Sequence, residues 1–201
     1  PQDILEKLDK FVIGQNQAKK SLSLIISNHL KTLYNKNITK SNALIIGPTG
    51  SGKTELVRSL SKIVGLPFVV ADATTFTAAG YVGEDVQSIL VQLYESSGRK
   101  KSLTEKGIVF LDEIDKLASS QDSHGAIGTT AVQQSLLKMI EGGIIKLNLG
   151  DKKNGEEVYI DTSKILFICS GAFPGLTKNT QKKISLDKKK NVENQKEISM
   201  N

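Results

Sequence analysis

Residues Gly47-Pro48-Thr49-Gly50-Ser51-Gly52-Lys53-Thr54 match the spacing G-x-x-x-x-G-K-[ST] at every fixed position. Glycines let such a loop close around phosphate and aim several backbone N–H groups at the anion. Pro48, Thr49, Gly50, Ser51 and Gly52 would form the cradle, Lys53 would reach the outer phosphates, and the Thr54 hydroxyl would hold Mg2+. A second pair of chemical groups follows the apolar run Ile108-Val109-Phe110-Leu111, where Asp112 and Glu113 stand side by side. This is a Walker B pattern. Asp112 would share Mg2+ with Thr54, partly through water, and Glu113 would polarise the water that attacks the terminal phosphate of a bound nucleotide.

These groups must be delivered by strands and helices. Ala43-Leu44-Ile45-Ile46 suits a buried strand before the loop, and Glu55 onward reads as a helix whose apolar face is Leu56, Val57, Leu60, Ile63 and Val64. Gly65 and Pro67 end it. Phe68-Val69-Val70-Ala71, Ile108 to Leu111 and Ile165 to Cys169 read as further buried strands. Leu5, Leu8 and Val12 suggest a short opening helix. From Gln15 to Tyr34, Ala18, Leu22, Ile25, Ile26, His29 and Leu33 form one apolar stripe, with lysines on the other side. Asp72 to Gly83 is a long connection, Glu84-Asp85 open a helix carrying Val86, Ile89, Leu90, Leu93 and Tyr94, and Arg99-Lys100-Lys101 read as a solvated corner. Ser119 to Thr130 reads as a loop, followed by a helix marked by Val132, Leu136, Leu137 and Ile140. Ile145, Leu147 and Leu149 alternate with polar residues and can pair with Val158-Tyr159-Ile160 across a turn at Asn154-Gly155, a hairpin insert. Strands alternating with helices predict an α/β fold, a mainly parallel sheet covered on both faces.

Composition bounds the function. The chain has 201 residues and 38% hydrophobic content, enough for one core of ordinary size. No apolar run approaches the ~20 residues of a membrane span. The single cysteine, Cys169, excludes an internal disulfide and reads as a strand residue; with two histidines there is no metal-binding cluster. The net charge is +6, but residues 177 to 201 hold seven lysines and three acids, leaving twenty basic and eighteen acidic residues before them. The excess sits in a lysine- and asparagine-rich tail rather than in a groove, which argues against a nucleic-acid partner.

Several segments together resemble the ClpX family of AAA+ unfoldases. They are Val12-Ile13-Gly14-Gln15 with Ala18-Lys19-Lys20, Gly47 to Thr54, Ala71 to Thr75, Ala79-Gly80-Tyr81-Val82-Gly83-Glu84-Asp85-Val86, Asp112 to Lys116, Val132-Gln133-Gln134, and Asp161 to Cys169. The likeness runs from about residue 3 to Leu176, and is less close to HslU around Asp161 to Cys169. It implies an AAA+ P-loop NTPase large domain over residues 1–176 and a divergent tail over 177–201. It also implies that Val12 and Ile13 pack against adenine, and that Lys53, Thr54, Asp112 and Glu113 act as argued above. Gly80-Tyr81-Val82-Gly83 would line the pore of a homo-hexamer, where the aromatic ring grips unfolded protein substrates, and Ser119 to Thr130 would be a second pore loop. The partner implied is a ClpP-type protease. The setting implied is cytoplasmic in a bacterium, or the lumen of a mitochondrion or plastid in a eukaryote.

The departures from the family shape the expectation. The second loop is short, and the hairpin tip lacks the family's Arg-Lys-His cluster. Beyond Leu176 no docking loop, fifth strand or small helical domain is recognisable. Arg58 and Arg99 are the two arginines in the chain, both ahead of Asp112. The family takes an arginine finger and a sensor arginine from sequence beyond that point, so hydrolysis by this chain alone should be weak. Ser170 offers a hydroxyl near the sensor 1 position. The first reading is the ATPase domain of an unfoldase; the others are a nucleotide-regulated adaptor without productive hydrolysis and a AAA+ motor on nucleic acid.

Overall fold

The computed structural model describes residues 1–35, 38, 40–76, 85–118, 126–149 and 155–174. The chain divides into two compact units, Pro1–Gly171 and Ala172–Asn201. Among the described residues all regular elements belong to the first. The helices are α1 (Gln2–Asp9), α2 (Asn16–Tyr34), α3 (Lys53–Val64), α4 (Ser88–Ser96), the single turn α5 (Lys101–Thr104) and α6 (Ala126–Glu141). The strands are β1 (Ala43–Ile46), β2 (Phe68–Asp72), β3 (Ile108–Asp112), β4 (Ile144–Leu149), β5 (Glu156–Asp161) and β6 (Leu166–Gly171).

β3 explains the layering. Its residues Ile108 to Leu111 are all fully buried, as an unbroken apolar run in a parallel sheet should be. Because side chains alternate along a strand, Ile108 and Phe110 enter one core with Leu8, Leu22, Ile26, Leu56 and Leu60 of α1, α2 and α3. Val109 and Leu111 enter another with Leu90 and Leu93 of α4 and Leu136 and Met139 of α6. Helices therefore cover both faces of the sheet. The four strands run in the order β1-β6-β3-β2, and all three pairings are parallel. β4 and β5 form the expected antiparallel hairpin, with Leu147, Val158 and Ile160 buried and Lys146 paired to Glu157 on the outer side at 2.6 Å. Its tip, residues 150–154, lies outside the described residues, as do the proposed pore segment Gly80 to Gly83 and the tail from residue 177.

Local chemistry ends the elements where the sequence suggests. Gly65 takes φ +66 and returns its N–H to the Ser61 carbonyl at 3.0 Å, closing α3 before Pro67. His29 is packed in the α2 stripe, its Nε2 3.1 Å from the Lys106 carbonyl oxygen, and burial pushes its pKa down.

Several expectations are corrected. Lys19 does not share the solvent face of α2: it is 3% exposed, because its ammonium meets the Asp9 carboxylate and the Val12 carbonyl. Val12 lies past the end of α1. In β1, Ala43 and Ile45 pack against the α1–α3 core, while Leu44 and Ile46, which share the opposite face, remain about half exposed rather than buried. α4 begins at Ser88, since Asp85 first closes a turn by accepting from the Gln87 N–H. The Arg99–Lys101 corner runs into α5. α6 starts at Ala126, inside the stretch expected to be loop, and Met139 joins Val132 and Leu136 on its inward side whereas Leu137 is exposed. The 100° step of a helix carries Leu137 past the stripe that Val132, Leu136 and Met139 define.

Candidate nucleotide site

The strand order builds the site. β6 lies between β1 and β3, so the carboxyl ends of the three strands present the phosphate loop, Ser170 and Asp112 side by side. Sequence distance hides this, since Thr54 and Asp112 belong to elements that are not neighbours in the chain. In space the Thr54 hydroxyl donates to Asp112 Oδ2 at 2.7 Å, and the Ser170 hydroxyl donates to Asp112 Oδ1 at 2.6 Å. The Glu113 N–H adds a third donor to Oδ1 at 3.0 Å. Burial alone would raise the Asp112 pKa, but the hydroxyls of Ser170 and Thr54, the Glu113 N–H and the Lys53 charge outweigh it and hold the carboxyl below its ordinary value. Asp112 is therefore an anion at neutral pH.

The loop itself has the required shape. Gly50 and Gly52 take φ +78 and +81, a region glycine enters without strain. Gly52 is the N-cap of α3, and the Leu56 N–H returns to its carbonyl at 3.0 Å. Lys53 sits at the first turn of α3 and folds back, its Nζ donating to the Gly47 and Pro48 carbonyls at 2.9 Å each. Anionic oxygens of a ligand would compete with these carbonyl oxygens for the Nζ donors. Pro48, Thr49 and Gly50 are exposed at the loop crest, and Ser51 is half-buried.

Glu113 follows the strand in the left-handed region at φ +57, unusual for a residue with a Cβ and costing about 1–3 kcal/mol. That bend turns the chain into the short 3-10 segment Ile114–Ala118, where the Lys116 N–H bonds the Glu113 carbonyl at 3.0 Å. Asp115 is half-buried there. Cys169 in β6 is an inert packed thiol, its pKa raised by burial to about 11.

Val12 is half-buried against the α1–α3 core, and Ile13 is 99% exposed. The residue that ties this segment to the loop is Gln15, whose Nε2 donates to the Ser51 carbonyl. Residue type alone does not single it out. The available signal is its place directly after Gly14, at the entrance of a helix.

A hydroxyl, a carboxylate and a glycine-shaped loop at the carboxyl end of a parallel sheet define a P-loop nucleotide-binding protein. The chain belongs to the AAA domain family, Cdc48 subfamily, whose model matches residues 38–201. It is similar to the ATP-dependent Clp protease ATP-binding subunit ClpX 3 of Methylococcus capsulatus, at 47% identity over 92% of this chain and 47% of that protein. The ClpX subunit of Treponema denticola is 45% identical over 92% of this chain and 48% of its own length. That of Porphyromonas gingivalis is 43% identical over 92% and 48%. The chain spans about half the length of these curated relatives.

Proposed function

We propose that this chain is the ATP-binding domain of a ClpX-type protein unfoldase, which couples ATP hydrolysis to unfolding proteins and moving them into a partner protease. The observation that carries the reading is the Thr54–Asp112–Ser170 cluster beside the phosphate loop. Pro48 to Gly52 and Lys53 hold the phosphates of ATP, and Val12 and Ile13 flank the base. The donor set offered by Thr54 and Asp112 is oxygen only, with one ionised carboxylate, which fits Mg2+. When bound, Mg2+ neutralises charge developing on the phosphate oxygens. Glu113 orients and polarises the attacking water, and Ser170 holds the Asp112 carboxylate in place from β6.

Residues 1–176 act as the large ATPase domain, and 177–201 as a tail. Tyr81, between Gly80 and Val82-Gly83, presses on extended polypeptide in the pore of a homo-hexamer, a contact that needs bulk but no sequence reading. The names of the relatives support a ClpP-type partner, and their bacterial origin supports a cytoplasmic setting. Among the described residues no helix is long and apolar enough to cross a membrane. An adaptor role without hydrolysis is disfavoured by the retained Glu113.

The test is ATP binding by calorimetry with and without Mg2+. Lys53→Ala is expected to weaken ATP binding at least tenfold, as loss of a charged contact to phosphate should. Glu113→Gln should bind ATP like the unaltered chain, because its part is in activating water rather than in holding the phosphates. Equal ATP binding by Lys53→Ala and the unaltered chain would overturn the assignment.

A further inference from the structure

The β4–β5 hairpin leaves the body of the domain at Gly142-Gly143 and returns at Asp161-Thr162, and one amine spans both legs. Lys40, just ahead of β1, donates through Nζ to the Ile140 carbonyl at the end of α6 and to the Thr162 carbonyl. The legs are also bound to each other. The Thr162 N–H reaches the Gly143 carbonyl at 2.9 Å, and the Gly143 N–H reaches the Thr162 hydroxyl at 3.1 Å. Gly142 takes φ +103 so close to the returning leg that an added Cβ would stand 3.0 Å from the Ser163 Cα. The root of the hairpin is thus a tight crossing, with the Lys40 amine tied to both of its chains.

An ammonium has three N–H donors. Two of those on Lys40 meet main-chain carbonyls; among the described residues the third meets no oxygen, and the centre of the Phe167 ring lies 5.1 Å from Nζ. A neutral amine has two N–H donors and a lone pair, so deprotonation leaves both carbonyls served and the lone pair free. The titratable groups that act on or sense the amine are Asp161 at the end of β5, which raises its pKa, and the buried His29 imidazole of α2; α6 presents a carbonyl and β6 an aromatic ring. Burial outweighs Asp161 and lowers the Lys40 pKa to about 8. At pH 7.5 about a quarter of the amine is then neutral, against about one part in a thousand for a lysine at 10.5. The side chain is half-buried rather than enclosed.

We propose that Lys40 is an acylation site: its Nζ takes the acyl group of a small acyl phosphate, and the modification unfastens the root of the β4–β5 hairpin. The lone pair attacks the acyl carbon and an N–C bond forms. The C–O bond to phosphate breaks, phosphate leaves with the electron pair, and the nitrogen gives one proton to water. The amide nitrogen that results carries one N–H, so it serves one carbonyl at most, and the positive charge at the end of α6 is gone. This site is independent of the nucleotide reading, since it lies at the amino ends of β1 and β6 whereas the phosphate loop and Asp112 lie at the carboxyl ends of the sheet.

The experiment treats the folded chain with acetyl phosphate at pH 7.5 to partial labelling and maps the acetyl groups by peptide mass spectrometry. Lys40 should react at least about threefold faster than the exposed Lys20, Lys31 and Lys62, a lead given by its neutral fraction and reduced by partial burial. The lead should shrink as pH rises toward 10.5. In the acetylated chain, hydrogen-exchange protection of residues 141–145 and 160–163 should fall about tenfold, as loss of a charged hydrogen bond predicts. Lys40→Arg keeps a cation that can serve two carbonyls but takes no acyl group, so the same treatment should leave its hairpin protection unchanged. Where Lys40→Arg does not fold, mapping and exchange on the unaltered chain decide the matter. Lys40 reacting no faster than the exposed lysines, unchanged hairpin exchange once Lys40 is acetylated, or an equal loss of protection in treated Lys40→Arg overturns the proposal.

Discussion

Lys40 shows how much a single side chain can connect. Its Nζ donates to the Ile140 carbonyl in the last turn of α6 at 3.2 Å and to the Thr162 carbonyl at 3.1 Å, and lies 5.1 Å from the centre of the Phe167 ring in β6. Asn42 reinforces the seam by donating to the same Ile140 carbonyl and accepting from the Phe167 N–H. A cation at a helix carboxyl end is favoured by the helix dipole. Burial nevertheless lowers the Lys40 pKa to about 8, against a partial rise from Asp161. Since its folded-state pKa lies below the value of 10.5 for an unperturbed lysine, the unfolded chain binds more protons between those values, and stability gains from Lys40 as pH rises from about 8 to 10.5. Urea unfolding across that range should show this gain in the unaltered chain and lose it in Lys40→Met; parallel curves for the two would remove Lys40 as the source.

At the scale of the element, β3 combines core and chemistry, since it ends in Asp112 while its four preceding residues fill both cores. Phe110→Ala should destabilise the chain by about 3–5 kcal/mol, because a fully buried ring leaves a cavity that neighbours only partly refill. Leu137→Ala, on the exposed side of α6, should change stability by no more than about 0.5 kcal/mol. Chemical denaturation of both variants measures the contrast, and a large loss at Leu137 would show that the α6 face is assigned wrongly. The two leucines of α6 illustrate the limit of pattern reading. Leu136 and Leu137 are equally apolar, and the helix can turn only one of them fully inward, which the facing strands and hairpin decide. The α2 stripe, by contrast, was legible because its spacing of three and four repeats over five turns. Lys19 escaped that reading, since a buried ammonium depends on Asp9 and the Val12 carbonyl, groups from another element.

For the molecule as a whole, the placement of charge bears on turnover. Arg58 lies on the exposed side of α3, 3.6 Å from Glu55, and Arg99 follows α4, 3.2 Å from Glu95. Each is engaged by a neighbour one turn away, and the pairs give no arginine to the Thr54–Asp112–Ser170 cluster. An arginine that stabilises transferring phosphate contributes about 10³ or more in rate. Steady-state ATP hydrolysis measured against protein concentration should therefore stay near the Lys53→Ala level throughout. Turnover rising cooperatively with concentration would mean that copies of this chain complete one another's sites without an arginine, and would overturn the expectation of weak hydrolysis.

The division between sequence and tertiary structure follows from the range of the forces involved. Gly47 to Thr54 and Ile108 to Glu113 declare a phosphate loop and a carboxylate at a strand end because their requirements are local: backbone freedom at glycine, alternation along a strand, and a charge where the strand leaves the core. The parallel α/β class and the β4–β5 hairpin follow from the same local periodicities. What those periodicities do not contain is strand order. Setting β6 between β1 and β3 brings Ser170 and Thr54 onto the two oxygens of Asp112, and makes β1 an exposed edge. The tie from Gln15 to Ser51, the burial of Lys19 and the Lys40 seam are likewise contacts between segments distant in the chain. They depend on how the helices pack across the sheet, a many-body outcome of core filling that no single stretch of residues encodes.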